Sequence, residues 1–276
     1  MDTGKIQVQG LRQGYENVPC SLCNSNVYTV IYEAQYDKEK DPDLKKKFRS
    51  SGDELLIDQL VKCKVCDMIY INPRIKENLI IKGYTEGDDP AFVSQADARE
   101  RTFNSSLALI ENYSAKGKIL DVGTANGSFL VAARKRGWDV YGCEPNKWIA
   151  EWGNKNYGLT IKTGTIFDQK YKDKFFDVLT LFDVIEHTAD PFKVFLECNR
   201  VLVDNGLLVV NYPDIESYIS KIMGRKWLFL TSPHLHYFTR RTIDKILSKS
   251  GFEIISIQPH FQKLELGYIL KRGELY

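Results

Sequence analysis

The chain has 276 residues, and 38 Lys and Arg against 36 Asp and Glu leave a formal charge of +2. That balance argues against a dedicated nucleic-acid binder, which carries a clear basic excess. With 43% hydrophobic and 27% charged residues, the composition is that of a folded globular chain, long enough for one large or two modest domains. No run reaches the ~18 apolar residues of a membrane-spanning helix. The opening MDTGKIQVQG lacks the apolar stretch of a secretory signal. The expectation is a soluble, cytoplasmic protein with no membrane partner.

Four of the six cysteines form two identical pairs, Cys20-Ser21-Leu22-Cys23 and Cys63-Lys64-Val65-Cys66. Two thiolates three positions apart on a tight turn can point at one ion, and two such turns supply the tetrahedral four-sulfur shell of a structural zinc site. Four unrelated thiols and two disulfides are the alternatives, and a cytosolic setting disfavours the disulfides. A redox reading is weaker, because neither pair opens a helix after a core strand. Such a closed shell has no open position, so the ion would be structural. The stretches NVYTVIYEA and LLIDQLVKC read as strands joining the two knuckles. Between them, Tyr36 to Glu54 carries six acids and six bases and reads as a solvated loop. We expect a zinc-ribbon unit over residues 1–83, followed by a second unit over 84–276.

Tyr84 to Tyr113 reads as a helix carrying Phe92, Arg99, Arg101 and Phe103, either a packing element or a lid. From Lys118 strands and helices alternate. Lys118–Asp121 is a strand, Ser128–Arg136 a helix ending at Gly137, and Asp139–Glu144 a second strand. A helix from Pro145 stops at Gly158. Thr160–Thr163 is short and strand-like, and Phe176–Phe182 is apolar enough for a strand buried on both faces. Pro191 starts a helix through Val201, Asn205-Gly206 turns into a strand Leu207–Tyr212, and Thr239 caps a helix to Ser250. Phe252–Ile257 reads as the last strand. The alternation implies an α/β fold with a doubly wound, mostly parallel sheet.

Between the first strand and its helix lies Asp121-Val122-Gly123-Thr124-Ala125-Asn126-Gly127. A glycine turn there lets a ligand approach backbone at the strand ends. The spacing is not the dinucleotide pattern G-x-G-x-x-G, which argues against a nicotinamide oxidoreductase. Glu144 ends the next strand, 23 residues after Asp121, where a carboxylate can accept hydrogen bonds from ribose hydroxyls.

At this point the chain resembles the class I S-adenosylmethionine-dependent methyltransferases. ILDVGTANGSFL is similar to the family's first motif, VYGCEP to the acidic end of its second strand, and FDVLTLFDVIEHTADP to its fourth strand with a trailing Glu-His. RVLVDNGLLVVNYPD is similar to its fifth-strand region. HLHYFTRRTIDKILSKSGFEI resembles the late segment of a subgroup in which a zinc ribbon precedes a Rossmann-like domain, often in sugar, glycan or natural-product methyltransferases. Ala125 stands where many members have glycine, which alanine can replace if its backbone angles are ordinary. FQKLELGYILKR is the remaining stretch for the family's closing antiparallel strand.

The resemblance implies residue roles. The turn Gly123, Thr124 and Gly127 would pass under the methionine and ribose of S-adenosylmethionine, with Asp121 near the methionine end. Glu144 would hold the ribose, and Pro145, Thr165 and Ile166 would flank the adenine. Phe182 and Asp183 would line the site near the sulfonium, with Tyr84 or Arg99 near the methionine carboxylate. His187 is the first candidate for a base, its pKa raised by Glu186 or Asp183, and His236 the second, in the loop Arg225–Tyr237 that also carries His234 and should overhang the sheet's carboxyl edge. His260 reads as a surface residue. Asp183, Glu186 and His187 also match an acid-x-x-Glu-His pattern of metal-using ubiquinone-type methyltransferases.

The expected activity is methyl transfer to a small-molecule, sugar or glycan-type acceptor. The alternatives are a protein or RNA methyltransferase that recognises substrate through the ribbon, and a non-enzymatic zinc-ribbon interaction protein. Charge balance weighs against RNA, and intact Asp121, Gly123, Gly127 and Glu144 weigh against a decayed site.

Overall fold

The computed structural model describes residues 13–36, 43–48, 55–85, 88, 93 and 96–259. Five short strands come first: β1 (Tyr15–Glu16), β2 (Tyr28–Tyr32), β3 (Leu60–Cys63), β4 (Ile69–Ile71) and β5 (Arg74–Ile75). β2, β3 and β4 form an antiparallel ladder, and β1 pairs with β5. Each cysteine pair closes a turn through a left-handed residue just after its second cysteine, Asn24 at φ 59° and Asp67 at φ 68°. Asn and Asp tolerate that region better than most residues. Asn24 N–H donates to the Cys20 carbonyl, and Asp67 N–H to that of Cys63.

Helices Glu77–Thr85 and Ala96–Ile110 follow among the described residues, the second within the segment Tyr84 to Tyr113 that was expected to carry a helix. Phe92 and His260 lie outside the described residues, as do the side chain of Arg101 and much of the charged loop. The body then alternates β6 (Lys118–Val122), β7 (Asp139–Glu144), β8 (Ile161–Thr163), β9 (Phe176–Phe182) and β10 (Leu202–Asn211) with helices Ser128–Lys135, Lys147–Tyr157 and Pro191–Val201. All five strands are parallel, in the order β10-β9-β6-β7-β8. The doubly wound sheet read from the sequence is therefore present.

Helix ends follow local chemistry. Asn146 caps its helix by accepting from Ile149 N–H, and Gly158 ends it at φ 58°. Asp190 accepts from Lys193 N–H ahead of Pro191, a residue whose missing N–H costs nothing in the first turn. Thr239 and Thr242 cap each other at the helix Arg240–Lys249. The turn expected at Asn205-Gly206 is instead a kink inside β10. Asn205 takes φ 60°, and the register shifts between Leu202 and Leu207.

The last strand read from the sequence, Phe252–Ile257, is not formed. Phe252 and Ile254 pack against the core, whereas Ile255 and Ile257 are exposed. Apolar alternation supplies burial, but a strand also needs a hydrogen-bonded neighbour, and none lies among the described residues. The stretch expected to close the sheet, within 260–276, lies outside them.

One long-range pairing ties the molecule together. β11 (His236–Tyr237) adds antiparallel to β4, with His236 opposite Tyr70, so the late segment completes a four-stranded sheet with the N-terminal strands. Cys20 and Leu22 share a buried cluster with Leu120 and Leu181 of the parallel sheet. On the other side of that sheet, Phe103, Phe129 and Phe182 form a triangle with ring centroids 5.0–5.4 Å apart, fastening the helix Ala96–Ile110 over the strand ends. Fully burying one such ring contributes roughly 1.5–3 kcal/mol.

Candidate active site

A cavity of about 380 Å³ opens at the carboxyl ends of β6, β7 and β9. This is the edge where open parallel sheets place their ligands. Its wall includes Asp121, Gly123, Thr124, Glu144, Pro145, Thr165, Ile166, Phe182 and Asp183. Gly127 is not on the wall. A Cβ there would sit 2.4 Å from Leu159 Cδ1, so its glycine serves the packing of the helix Ser128–Lys135. Gly123, at φ 69°, turns the chain away from β6, and a Cβ would meet Val184 at 2.7 Å.

The turn is held by Glu144. Its Oε2 accepts from Ala125 N–H at 2.9 Å and its Oε1 from Asn146 N–H at 2.8 Å. Burial pushes its carboxyl up to about 7 despite those two donors. Ala125 takes φ 49°. The condition under which alanine replaces glycine without strain is not met, because the turn holds Ala125 in the left-handed region. Asp121 is buried, accepts from Thr180 Oγ1 at 2.7 Å and is likewise pushed up to about 7 by burial. Thr180 was not singled out from the sequence, though its place on β9, facing β6, is a polar exception in an apolar run.

The same cavity is also lined by Tyr84, Glu186, His187 and His234. His187 Nδ1 lies 2.8 Å from Tyr84 Oη and 3.1 Å from the Pro233 carbonyl oxygen. In the tautomer with the proton on Nδ1, the Pro233 carbonyl and the Tyr84 oxygen both accept from it and Nε2 keeps the lone pair. His234 Nδ1 similarly donates to the Phe229 carbonyl at 2.8 Å. The two rings meet edge to face at 4.6 Å. Glu186 is buried with neither carboxylate oxygen hydrogen-bonded, and burial, with the Asp183 charge second, holds its carboxyl well above the usual range. Asp183, at φ 54°, accepts from Asn211 Nδ2 at 2.7 Å.

The expected upward shift of His187 is reversed. Burial lowers its pKa to about 4, because the hydrogen bond to the Pro233 carbonyl does not outweigh desolvation of the imidazolium. His236 is not on the cavity wall. It sits in β11, buried, with Nε2 3.1 Å from Ser21 Oγ. The residues that cluster with a ligand-like geometry are Glu186, His187 and His234 rather than the triplet with Asp183. His234, in the loop expected over the strand ends, and Tyr84, on the expected lid, touch His187 from 47 residues ahead and 103 behind it in the chain, a contact that no local pattern marks.

The cysteines converge as their spacing suggests. Cys20 and Cys66 sulfurs are 3.4 Å apart, Cys23 and Cys63 are 3.5 Å apart, and all four lie within 4.8 Å of one another. Zn–S bonds of about 2.3 Å in a tetrahedron need sulfurs just under 4 Å apart, so the set fits a zinc ion.

The comparisons agree with this architecture. The profile of a family described as a methyltransferase domain matches residues 95–257, and the chain belongs to that family. Its fold is that of S-adenosylmethionine-dependent methyltransferases. A solved methyltransferase of that cofactor class from Archaeoglobus fulgidus matches with a TM-score of 0.50 and 16% identity, over 68% of this chain and 91% of that one, a likeness of fold alone. An uncharacterized protein of Methanocaldococcus jannaschii is 25% identical over 61% of this chain and 81% of its own. A ubiquinone biosynthesis O-methyltransferase of Cereibacter sphaeroides is 28% identical over 42% of this chain and 50% of its own. A sarcosine/dimethylglycine N-methyltransferase of Aphanothece halophytica is 31% identical over 50% and 51%. The chain spans about half the length of these two named relatives. No helix among the described residues is long and apolar enough to cross a membrane.

Proposed function

We propose that the chain transfers the methyl group of S-adenosylmethionine to a small-molecule, sugar or glycan-type acceptor. The observation that carries this is a single cavity lined by two chemically distinct sets of residues. One is the glycine turn, Asp121 and Glu144. The other is Glu186, His187 and His234. The relatives above are named for small acceptors, in line with that class.

The cofactor, when bound, supplies a methyl carbon already activated by a positive sulfur. Everything else falls to the chain. Each Glu144 oxygen holds one backbone donor and keeps a further acceptor position, enough to take the two hydroxyls of a ribose. Pro145, Thr165 and Ile166 wall the adenine side, with Ile166 buried. Phe182, clamped by Phe103 and Phe129, gives the methyl-transfer region an apolar side that keeps water from competing. Arg99 and Tyr84 on the facing helices suit the methionine carboxylate. Alignment of acceptor and methyl supplies much of the rate, and His187 Nε2 takes the proton of a hydroxyl acceptor. The four cysteines hold a structural zinc, which stabilises the sheet that includes β11 and thereby the segment carrying His234.

Incubation with S-adenosylmethionine labelled in the methyl group, against a panel of sugars, nucleotide sugars, phenols and small amines, tests the reading. Label in a small acceptor supports it. Label confined to added protein or RNA, or no transfer to any acceptor, overturns it.

A further inference from the structure

The helix Tyr218–Met223 is built inside out. Tyr218 is 88% exposed, Ile219 64% and Ile222 84%. At 100° per residue these three lie on one face. Ser220 lies on the other, buried, its Oγ donating to the Ile215 carbonyl at 2.5 Å and lying 2.8 Å from that of Ser217. That anchor and the Ser217 cap fix the rotation, so the apolar face cannot turn inward. A helix normally buries its apolar stripe, and one that displays it marks a contact surface. The surface continues through exposed Leu228 to Phe229, which also lines the cavity.

Along the segment itself the charges have one sign: Lys221, Arg225 and Lys226 are exposed, and the sequence has no Asp or Glu between Glu216 and Asp244. The Arg225 guanidinium rests on the Tyr32 ring at 4.9 Å rather than on a carboxylate. A second copy docked about a two-fold axis would bring these cations against themselves. Apolar side chains pointing outward beside cations that have no ion pair among the described residues match an anionic lipid surface, where the chains enter the headgroup layer and the cations meet phosphates.

We infer that the Tyr218–Phe229 segment seats the protein on an anionic membrane surface, with the cavity mouth at Phe229 opening toward the bilayer. This is a surface contact, for which the lack of a spanning run says nothing. That the acceptor enters from the membrane side rests on the methyltransferase reading. The seating itself does not.

Vesicle flotation tests it, with phosphatidylglycerol-containing and pure phosphatidylcholine vesicles and no cofactor. The protein is expected to float with the anionic vesicles only, and less as salt rises. Lys221→Gln with Lys226→Gln should weaken this at least about tenfold, since each cation near such a surface is worth roughly a factor of five. Ile219→Asp with Ile222→Asp should abolish it while leaving S-adenosylhomocysteine binding unchanged, which also shows that the variant is folded. Loss of S-adenosylhomocysteine binding by the unaltered protein would instead count against the methyltransferase reading alone. Equal flotation with both vesicle types, or with neither, overturns the seating. So does a dimer in sedimentation that Ile219→Asp splits, because the face would then belong to a second copy.

Discussion

Glu144 and Ala125 hold each other in place: the carboxylate accepts the Ala125 N–H at 2.9 Å, and that N–H is available only because alanine sits at φ 49°. The acid read as a ribose ligand therefore also shapes the turn under the ligand. For an L-residue other than glycine the left-handed region costs about 1–2 kcal/mol. Ala125→Gly should raise stability by up to about 1 kcal/mol, the gain in backbone ease being partly offset by glycine's freer unfolded chain. Ala125→Val should lose more than about 1 kcal/mol, because a β-branched residue resists φ > 0. Denaturant titration of both variants checks this, and equal stabilities would mean that the turn is not strained.

Asp121 and Glu144 should make cofactor affinity depend on pH. Both carboxyls are pushed up to about 7 by burial, while in an unfolded chain they titrate near 4. The folded protein thus holds protons that the unfolded chain releases. Stability of the unliganded protein should be greatest below about pH 4 as far as these groups decide it, and fall as pH rises toward 7. Cofactor binding favours the ionised Glu144, so affinity should rise through the same range, up to about tenfold per pH unit well below 7. Calorimetric titrations at several pH values check the sign. Affinity that falls as pH rises would contradict it.

His187→Ala should lower turnover ~10²–10⁴-fold, the usual span for a lost general base, with cofactor affinity nearly unchanged. Tyr84→Phe removes the hydroxyl beside Nδ1 and should give a smaller loss. Because burial lowers His187 to about 4, its own titration should lie well below the limb set by Glu144. Single-turnover rates and cofactor titrations separate the effects. A loss wholly in cofactor binding would make His187 part of the scaffold.

One zinc per chain is expected at Cys20, Cys23, Cys63 and Cys66. Burial pushes the Cys66 thiol up to about 11, so a cation is needed to hold four thiolates together. Any single Cys→Ser should loosen β2, β3, β4 and β11 more than the parallel sheet, read by amide exchange. Leu235 N–H donates to the Glu186 carbonyl at 2.8 Å, so turnover should fall with cofactor affinity largely kept. Less than about half an equivalent of metal in carefully prepared protein would count against the site.

The parts legible in the sequence are those that local chemistry decides. The glycine turn, Glu144 at its strand end, the helix cap at Thr239, the helix start at Pro191, and the paired cysteines each carry their geometry in neighbouring residues. Hidden were the contacts that only packing creates. Tyr84 and His234 reach His187 from distant segments, and β11 leaves the parallel-sheet unit to pair with β4, drawing His236 away from the cavity edge where its loop seemed to place it. At Ala125 alanine gives no hint of the left-handed backbone that accompanies its hydrogen bond to Glu144. Phe252–Ile257 misled because its apolar pattern is that of a strand, whereas strand formation depends on a partner.

The most direct test is calorimetric titration of S-adenosylmethionine into the intact chain and into Glu144→Ala. One site per chain is predicted, weakened in the variant by about 1–3 kcal/mol, the scale of losing a charge-assisted hydrogen-bond partner, with no comparable binding of NAD to either protein. Absence of binding to the intact chain, or an affinity that Glu144→Ala leaves unchanged, would contradict the account.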